Sequence, residues 1–271
     1  MARPIPLNIA HHGHRFWRRF DSFDFARDVS TLPVVLAEIS QISRTFPILF
    51  YQNEGQFLPH AILNTDPSQD CCFVAKTGEW LAPYVPAALR SHPFQASLGS
   101  GPTQFTLMVD DDSPYVTDDI RDEPFFDPLG DLSPALAEVL VFLQEYDQSL
   151  RAAALATKAL HQANLLIPAP DAYGLSQKLT RNSWIVDRDA LQALDGIILK
   201  PLMQTGALKL AYAHQISLES MPFLQKTAAT RAEAWTSQHT STMDMVGSFL
   251  SALAEAHEGD KEDAIASAGD H

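Results

Sequence analysis

The stretch FPILFYQNEGQFLPHAILN, Phe46 to Asn64, decides how the rest of the chain is read. FPILFYQ is a short apolar run of β-forming residues and FLPHAILN is a second. The polar turn NEGQ separates them, so the pair reads as two strands of a hairpin. CCFVAKTGEWL (71–81) continues this pattern as a strand, the turn KTG and a further short extended piece, and QFTLMVD (104–110) is another strand by composition. Upstream, LPVVLAEISQISRT (32–45) places apolar residues at 32, 35/36, 39 and 42, a helical spacing with Pro33 acceptable in the first turn. Residues 1–30 read as irregular, with Phe16, Trp17, Phe20, Phe23 and Phe25 pinning them to the body.

Beyond residue 131 the period changes. In LSPALAEVLVFLQEYDQSL (132–150), Ser133 is positioned as an N-cap and Pro134 at the first helical position. Leu136, Leu140, Leu143, Tyr146 and Leu150 share one face, and the pattern runs on towards Pro168 as one long helix or two in series. NSWIV (182–186) reads as a strand, DRDALQAL as a short helix that Asp187 caps, and a further helix stops at Gly206. ALKLAYAHQIS (207–217) fits a strand or a helix. Strands cluster in the first half and helices in the second. This predicts an α+β fold, an antiparallel sheet largely from the N-terminal half packed with helices from the C-terminal half. A single domain is expected over 1–224, followed by a mobile, acidic, Ala/Ser/Thr-rich tail over 225–271.

The net charge of −14 is unevenly placed: residues 110–131 carry −8, residues 225–271 carry −5, and the remainder is nearly neutral. Nucleic-acid binding needs a basic stripe, and Arg15, Arg18 and Arg19 do not make one. No apolar run approaches the length of a membrane span, and MARPIPLNIAHHGHRF lacks the apolar core of a signal peptide. A cytoplasmic setting is the default expectation, with signal-peptide-independent export to the cell surface left open. Cys71 and Cys72 are adjacent, which makes a disulfide between them improbable and buried small side chains the better reading.

Candidate chemistry is sparse. HHGH groups His11, His12 and His14, and reads as a loose surface triplet because structural metal sites draw ligands from separated elements. DDDSPYVTDD (110–119) lacks the internal glycine of a calcium loop and reads as a solvated acidic loop. No nucleophile elbow, phosphate loop, dinucleotide fingerprint or zinc-protease helix is present, which favours a non-enzymatic reading. His214 and Ser217 lie three apart, and a hydrogen bond satisfying a half-buried histidine accounts for them better than catalysis does.

GEWLAPYVPAALRSHPF, Gly78 to Phe94, is the most unusual segment, with Trp80, Tyr84 and Phe94 set among three prolines around a single basic residue, Arg90. A guanidinium among apolar neighbours needs a partner. Pairing with a buried acid such as Glu38, stacking on Trp80 or Tyr84, and holding an anionic ligand are the three physical options, the structural ones favoured. A proline-stiffened surface of Trp80, Tyr84, Arg90 and Phe94 suits recognition of a protein partner or a small anionic ligand, since stiffness lowers the entropy lost on binding. The rival reading is an enzyme or enzyme subunit using His14, Glu38 and His214 around a pocket, with or without a metal. No cofactor is predicted, and a metal enters only with that rival.

In order and spacing, the chain resembles the SapC family of bacterial proteins, named for a surface-layer-associated protein. The resemblance rests on PLN (6–8), His14, DFA (24–26), LAEIS (36–40) with Glu38, FPILF (46–50) and the Gly78–Phe94 segment. It continues through LMVDDDSP (107–114), PFFDPLG (124–130), FLQEY (142–146), LL (165–166) and GALKLAYAHQISLESMPFL (206–224). ILNTD (62–66) departs from it where a more glycine-rich turn is expected. The resemblance implies surface-layer or outer-membrane work without an established biochemical activity or catalytic residues. A binding or accessory protein is therefore the expected function.

Overall fold

The structure, a computed structural model, describes residues 4–53, 55–98 and 105–231. The chain forms two units, residues 1–225 and 226–271. In the second unit only residues 226–231 are described, so most of the tail expected to be mobile lies outside the described residues. The strands, in chain order, are β1 (Ile5–Pro6), β2 (Phe16–Trp17), β3 (Thr31–Pro33), β4 (Ile48–Asn53), β5 (Gln56–Ile62) and β6 (Phe94–Leu98). They continue as β7 (Phe105–Val109), β8 (Val116–Thr117), β9 (Glu123–Pro124), β10 (Leu166–Pro168) and β11 (Ser183–Val186). The helices are α1 (Ile9–His12), α2 (Ile39–Ile42), α3 (Ala87–Arg90), α4 (Pro134–Gln162), α5 (Gln177–Thr180), α6 (Arg188–Gln192), α7 (Gly196–Gln204) and α8 (Ala207–Ser217). The fold is α+β, with antiparallel sheets drawn mostly from the N-terminal half and helices from the C-terminal half.

The hairpin over 46–64 is the centre of the largest sheet. β4 and β5 pair in unbroken register from Ile48↔Ala61 to Asn53↔Gln56. Around them lies a five-stranded sheet in the order β10-β11-β4-β5-β3. Ile48, Leu49, Phe50, Ala61 and Ile62 are fully buried, because the sheet is covered by α4 and α8. Leu32 and Pro33 correct the expected helix over 32–45. They belong to edge strand β3, paired Leu32↔Ala61 and Pro33↔His60, where a proline is tolerated. Helical turns begin only at Leu36. The expected strand after Cys71 reduces to a single bridge, Val74↔Trp80, while Cys71 and Cys72 are buried as expected.

A second sheet, β1-β7-β6, and a third, β8-β2-β9, lie at the other end of α4. Their shared core holds Trp17, Phe94, Leu107, Val109, Val116, Phe125, Leu136 and Leu143. The helix α4 is one continuous element of 29 residues, capped as expected by Ser133, whose Oγ accepts from the Leu136 amide at 3.3 Å. At 1.5 Å per residue it is about 43 Å long, enough to serve both cores. Leu136 and Leu143 enter the smaller core, while Ala153, Ala156 and Leu160 let the second half lie closely on β5 and α8. The acidic stretch is therefore more than a solvated loop. Tyr115, Val116 and Phe125 within it are buried.

ALKLAYAHQIS resolves as helix α8, and its His214 is completely buried. The ladder between β11 and β4 runs Ser183↔Tyr51 and Trp184↔Phe50, and two residues further on that register would pair Val186 with Ile48. The imidazole occupies that step instead. Nδ1 donates to the Ile48 carbonyl at 2.8 Å, and Nε2 accepts from the Val186 amide at 3.2 Å. Ser217 Oγ accepts from the Ile48 amide at 2.9 Å and donates to the His214 carbonyl at 2.6 Å. His214 and Ser217 thus seal an opening between two strands, satisfying backbone groups that would otherwise be buried without partners.

Burial pushes the pKa of His214 down to about 4 from its ordinary 6.5, the hydrogen bond to Ile48 opposing it only in part. Between those two values the unfolded chain binds a proton that the folded chain refuses. This contribution is therefore fully present above pH 6.5 and is lost as pH falls towards 4, by about 3 kcal/mol. In urea titrations, His214→Gln is expected to be less stable than the parent at pH 7, with the gap narrowing as pH is lowered to 4.5. A gap that stays constant with pH contradicts a neutral buried ring.

Candidate functional site

The Gly78–Phe94 segment begins at a backbone geometry only glycine adopts easily. Gly78 has φ +84°, and a Cβ there would lie 2.0 Å from Ser22 Oγ. The chain then passes Trp80, whose Nε1 donates to the Tyr84 carbonyl at 2.8 Å and whose ring packs near Phe23, Phe73 and Phe46. These contacts close the loop on itself. Pro86 precedes α3, and His92, joined to Pro93 by a cis peptide bond, stacks on Phe25 at 3.8 Å and 5°. Phe94 then enters the smaller core as the first residue of β6.

Glu38 holds this path in place. Its side chain is buried, and Oε2 accepts from the Tyr84 hydroxyl at 3.0 Å and the Ala87 amide at 2.8 Å. Oε1 accepts from the Val35 amide at 3.4 Å. Burial pushes the carboxyl pKa up, while the Ala87, Tyr84 and Val35 donors and the charge of Arg90 pull it back. Burial and then the neighbouring carboxylate push the Tyr84 hydroxyl up to about 12, so it remains a donor. One carboxylate thus joins the turn before α2 to the aromatic–proline segment.

Arg90 does not reach Glu38 directly, because Tyr84 stands between them in the network. Its guanidinium lies over the Tyr84 ring, 4.9 Å from the centroid, and Nε donates to the Val85 carbonyl at 2.9 Å. The side chain is exposed, and among the described residues it forms no ion pair. Its position is fixed by stacking and one backbone bond, leaving the charge open to a ligand.

Arg90 opens onto a cleft of about 480 Å³. Trp17, Phe20 and Phe94 line it from one side and Val139 and Phe142 of α4 from another, with Arg19 and Glu138 also present. Arg19 and Glu138 pair at 3.4 Å, both largely exposed, so this contact is weak. The volume is ordinary for a small-molecule site, and the combination of apolar lining with two arginines suits an anionic group on an apolar body.

The seven residues singled out in the sequence therefore separate. Arg90 and Phe94 line the cleft, Phe94 doing so as a core residue and not as part of an exposed surface. Trp80 and Tyr84 are half-buried and support the segment that bears Arg90. His14 is exposed, Glu38 is committed to three donors, and both ring nitrogens of His214 are committed to backbone. These last three share no hydrogen-bond partner. Trp17, Arg19, Phe20, Val139 and Phe142 were not marked as site residues in the sequence, since only the fold brings residues 17–20 to α4.

The chain belongs to the SapC family, whose model matches residues 7–224. Among curated proteins and solved structures, nothing matches it. Among the described residues no helix is long and apolar enough to cross a membrane.

Glu38→Ala leaves three donors facing a vacated site and is expected to cost about 3–5 kcal/mol in urea denaturation. Tyr84→Phe, which removes one donor, is expected to cost about 1–2 kcal/mol. The double variant should cost less than the sum, and strict additivity would show that the two side chains do not act together.

Proposed function

We propose that the chain is a non-enzymatic binding protein whose ligand site is the cleft between Arg90 and α4. The observation that carries this reading is Arg90 itself, which is fixed on Tyr84 and Val85 yet has no acidic partner among the described residues. A pre-positioned charge above an apolar lining loses little entropy on capturing an anion. Arg19 supplies a second charge at the same mouth once its exposed contact with Glu138 yields. The ligand class proposed is a carboxylate, sulfonate or phosphate attached to an apolar or aromatic body. The setting proposed, surface-layer or outer-membrane work in a bacterium, comes from the family's name. A catalytic reading gains no support, since Glu38 and His214 are bound into the scaffold.

Anilinonaphthalene sulfonate, an anionic aromatic fluorophore, tests the cleft. One saturable site is expected on the folded protein, weakened at least fivefold in Arg90→Gln and blocked in Ser91→Trp, since Ser91 also lines the cleft and the introduced ring would fill it. Unchanged binding in both variants overturns the proposal.

A further inference from the structure

Two connections run between the same pair of small sheets. The chain leaves β1, which pairs with β7 through Ile5↔Val109, and enters β2, which pairs with β8 through Trp17↔Val116. The segment following β7 makes the same crossing to β8. Residues 7–15 and 110–115 therefore lie side by side although about 100 positions separate them in sequence. This places HHGH against DDDSP. It also corrects the view of HHGH as a loose surface triplet, because His12 is completely buried.

We propose that His11, His12 and Asp111 form a binding site for a divalent transition metal ion, with zinc as the fitting example. One ligand atom from each lies within 4.8 Å of the other two. His11 Nε2 is 2.9 Å from Asp111 Oδ2, and His12 Nε2 is 3.6 Å from Asp111 Oδ1. Donors placed tetrahedrally at zinc–ligand distances are about 3.4 Å apart, and the two contacts, which reach different oxygens of Asp111, lie near that spacing.

His12 supplies the independent sign of a ligand. Its Nδ1 lies 3.1 Å from the Asn8 carbonyl and 3.3 Å from the Asn8 amide nitrogen, and in the Nδ1–H tautomer it donates to the carbonyl. In that tautomer the Nε2 lone pair faces Asp111, and among the described residues Nε2 is buried without a hydrogen-bond partner. A ligating histidine commonly anchors its other nitrogen on a backbone carbonyl in this way. The nearby charge of Arg15 is compatible with this role. Its Nη1 donates to Asp111 Oδ1 at 2.5 Å, and its Nε to Asp118 at 3.3 Å, so it orients the carboxylate from outside while tempering affinity. Two imidazoles and one carboxylate favour zinc, cobalt or nickel over magnesium or calcium. His11 is half exposed, which leaves the ion accessible to water or to a further ligand. Bound there, the ion would clip the N-terminal segment to the acidic connection.

The test is calorimetric titration of zinc and of cobalt into full-length, tag-free protein stripped with a chelator. One equivalent of either ion is expected to bind, unaffected by equimolar magnesium or calcium. His11→Ala and Asp111→Asn should each weaken binding at least tenfold, while His14→Ala should leave it unchanged. Circular dichroism of the variants checks that the fold persists. Both His11 and Asp111 are accessible enough for these changes to be tolerated. Equal affinity in the parent, His11→Ala and Asp111→Asn overturns the site. Loss in His14→Ala as large as in His11→Ala overturns it too, as that would indicate loose surface histidines. Competition by magnesium at equal concentration contradicts the proposed metal class.

Discussion

The buried carboxylate of Glu38 is the constraint on which the path of the Gly78–Phe94 segment depends. It gathers two amides and a phenol from segments almost fifty residues apart, and among the described residues it pairs with no arginine or lysine. A buried carboxylate is costly unless its lone pairs are filled, so the donors must stay where they are. Tyr84 is consequently fixed, and Arg90 stacks on it. The position of a surface cation is thus set by an acid it never touches.

The cleft follows from the same logic carried through α4. That helix is long enough to enter both cores, and it brings Val139 and Phe142 opposite the residues that follow α3. His214 performs a comparable service in the larger sheet, where an imidazole replaces a direct strand-to-strand hydrogen bond. In both places a polar side chain that sequence reasoning offers as catalytic is instead satisfying buried backbone. The remaining chemistry lies at the surface, in the exposed Arg90 and at the His11–Asp111 contact.

Much of the architecture was legible in local pattern. The hairpin over 46–64 is visible because two β-rich runs flank a polar turn with Gly55, and the start of α4 because Ser133 and Pro134 match helix-entry chemistry. The reading of 32–45 as helix failed because Leu32 and Pro33 answer to pairing with β5, a tertiary demand that outranks local spacing. The site was less legible. Arg90 stood out as a charge among aromatics; of the options for it, stacking on Tyr84 is found, while pairing with Glu38 is not, because the Tyr84 hydroxyl takes that carboxylate. Arg19 and Phe142 carry no local signal, and Asp111 is tied to His11 only by the shared crossing between sheets.

The most direct measurement of this account is amide hydrogen exchange at Ala87, whose N–H is 2.8 Å from Glu38 Oε2. In the parent protein that amide should exchange orders of magnitude more slowly than an exposed loop amide. In Glu38→Ala, exchange should accelerate across residues 84–90 while the β4–β5 hairpin stays protected. Rapid exchange at Ala87 in the parent protein would contradict the claim that the carboxylate fixes the segment bearing Arg90.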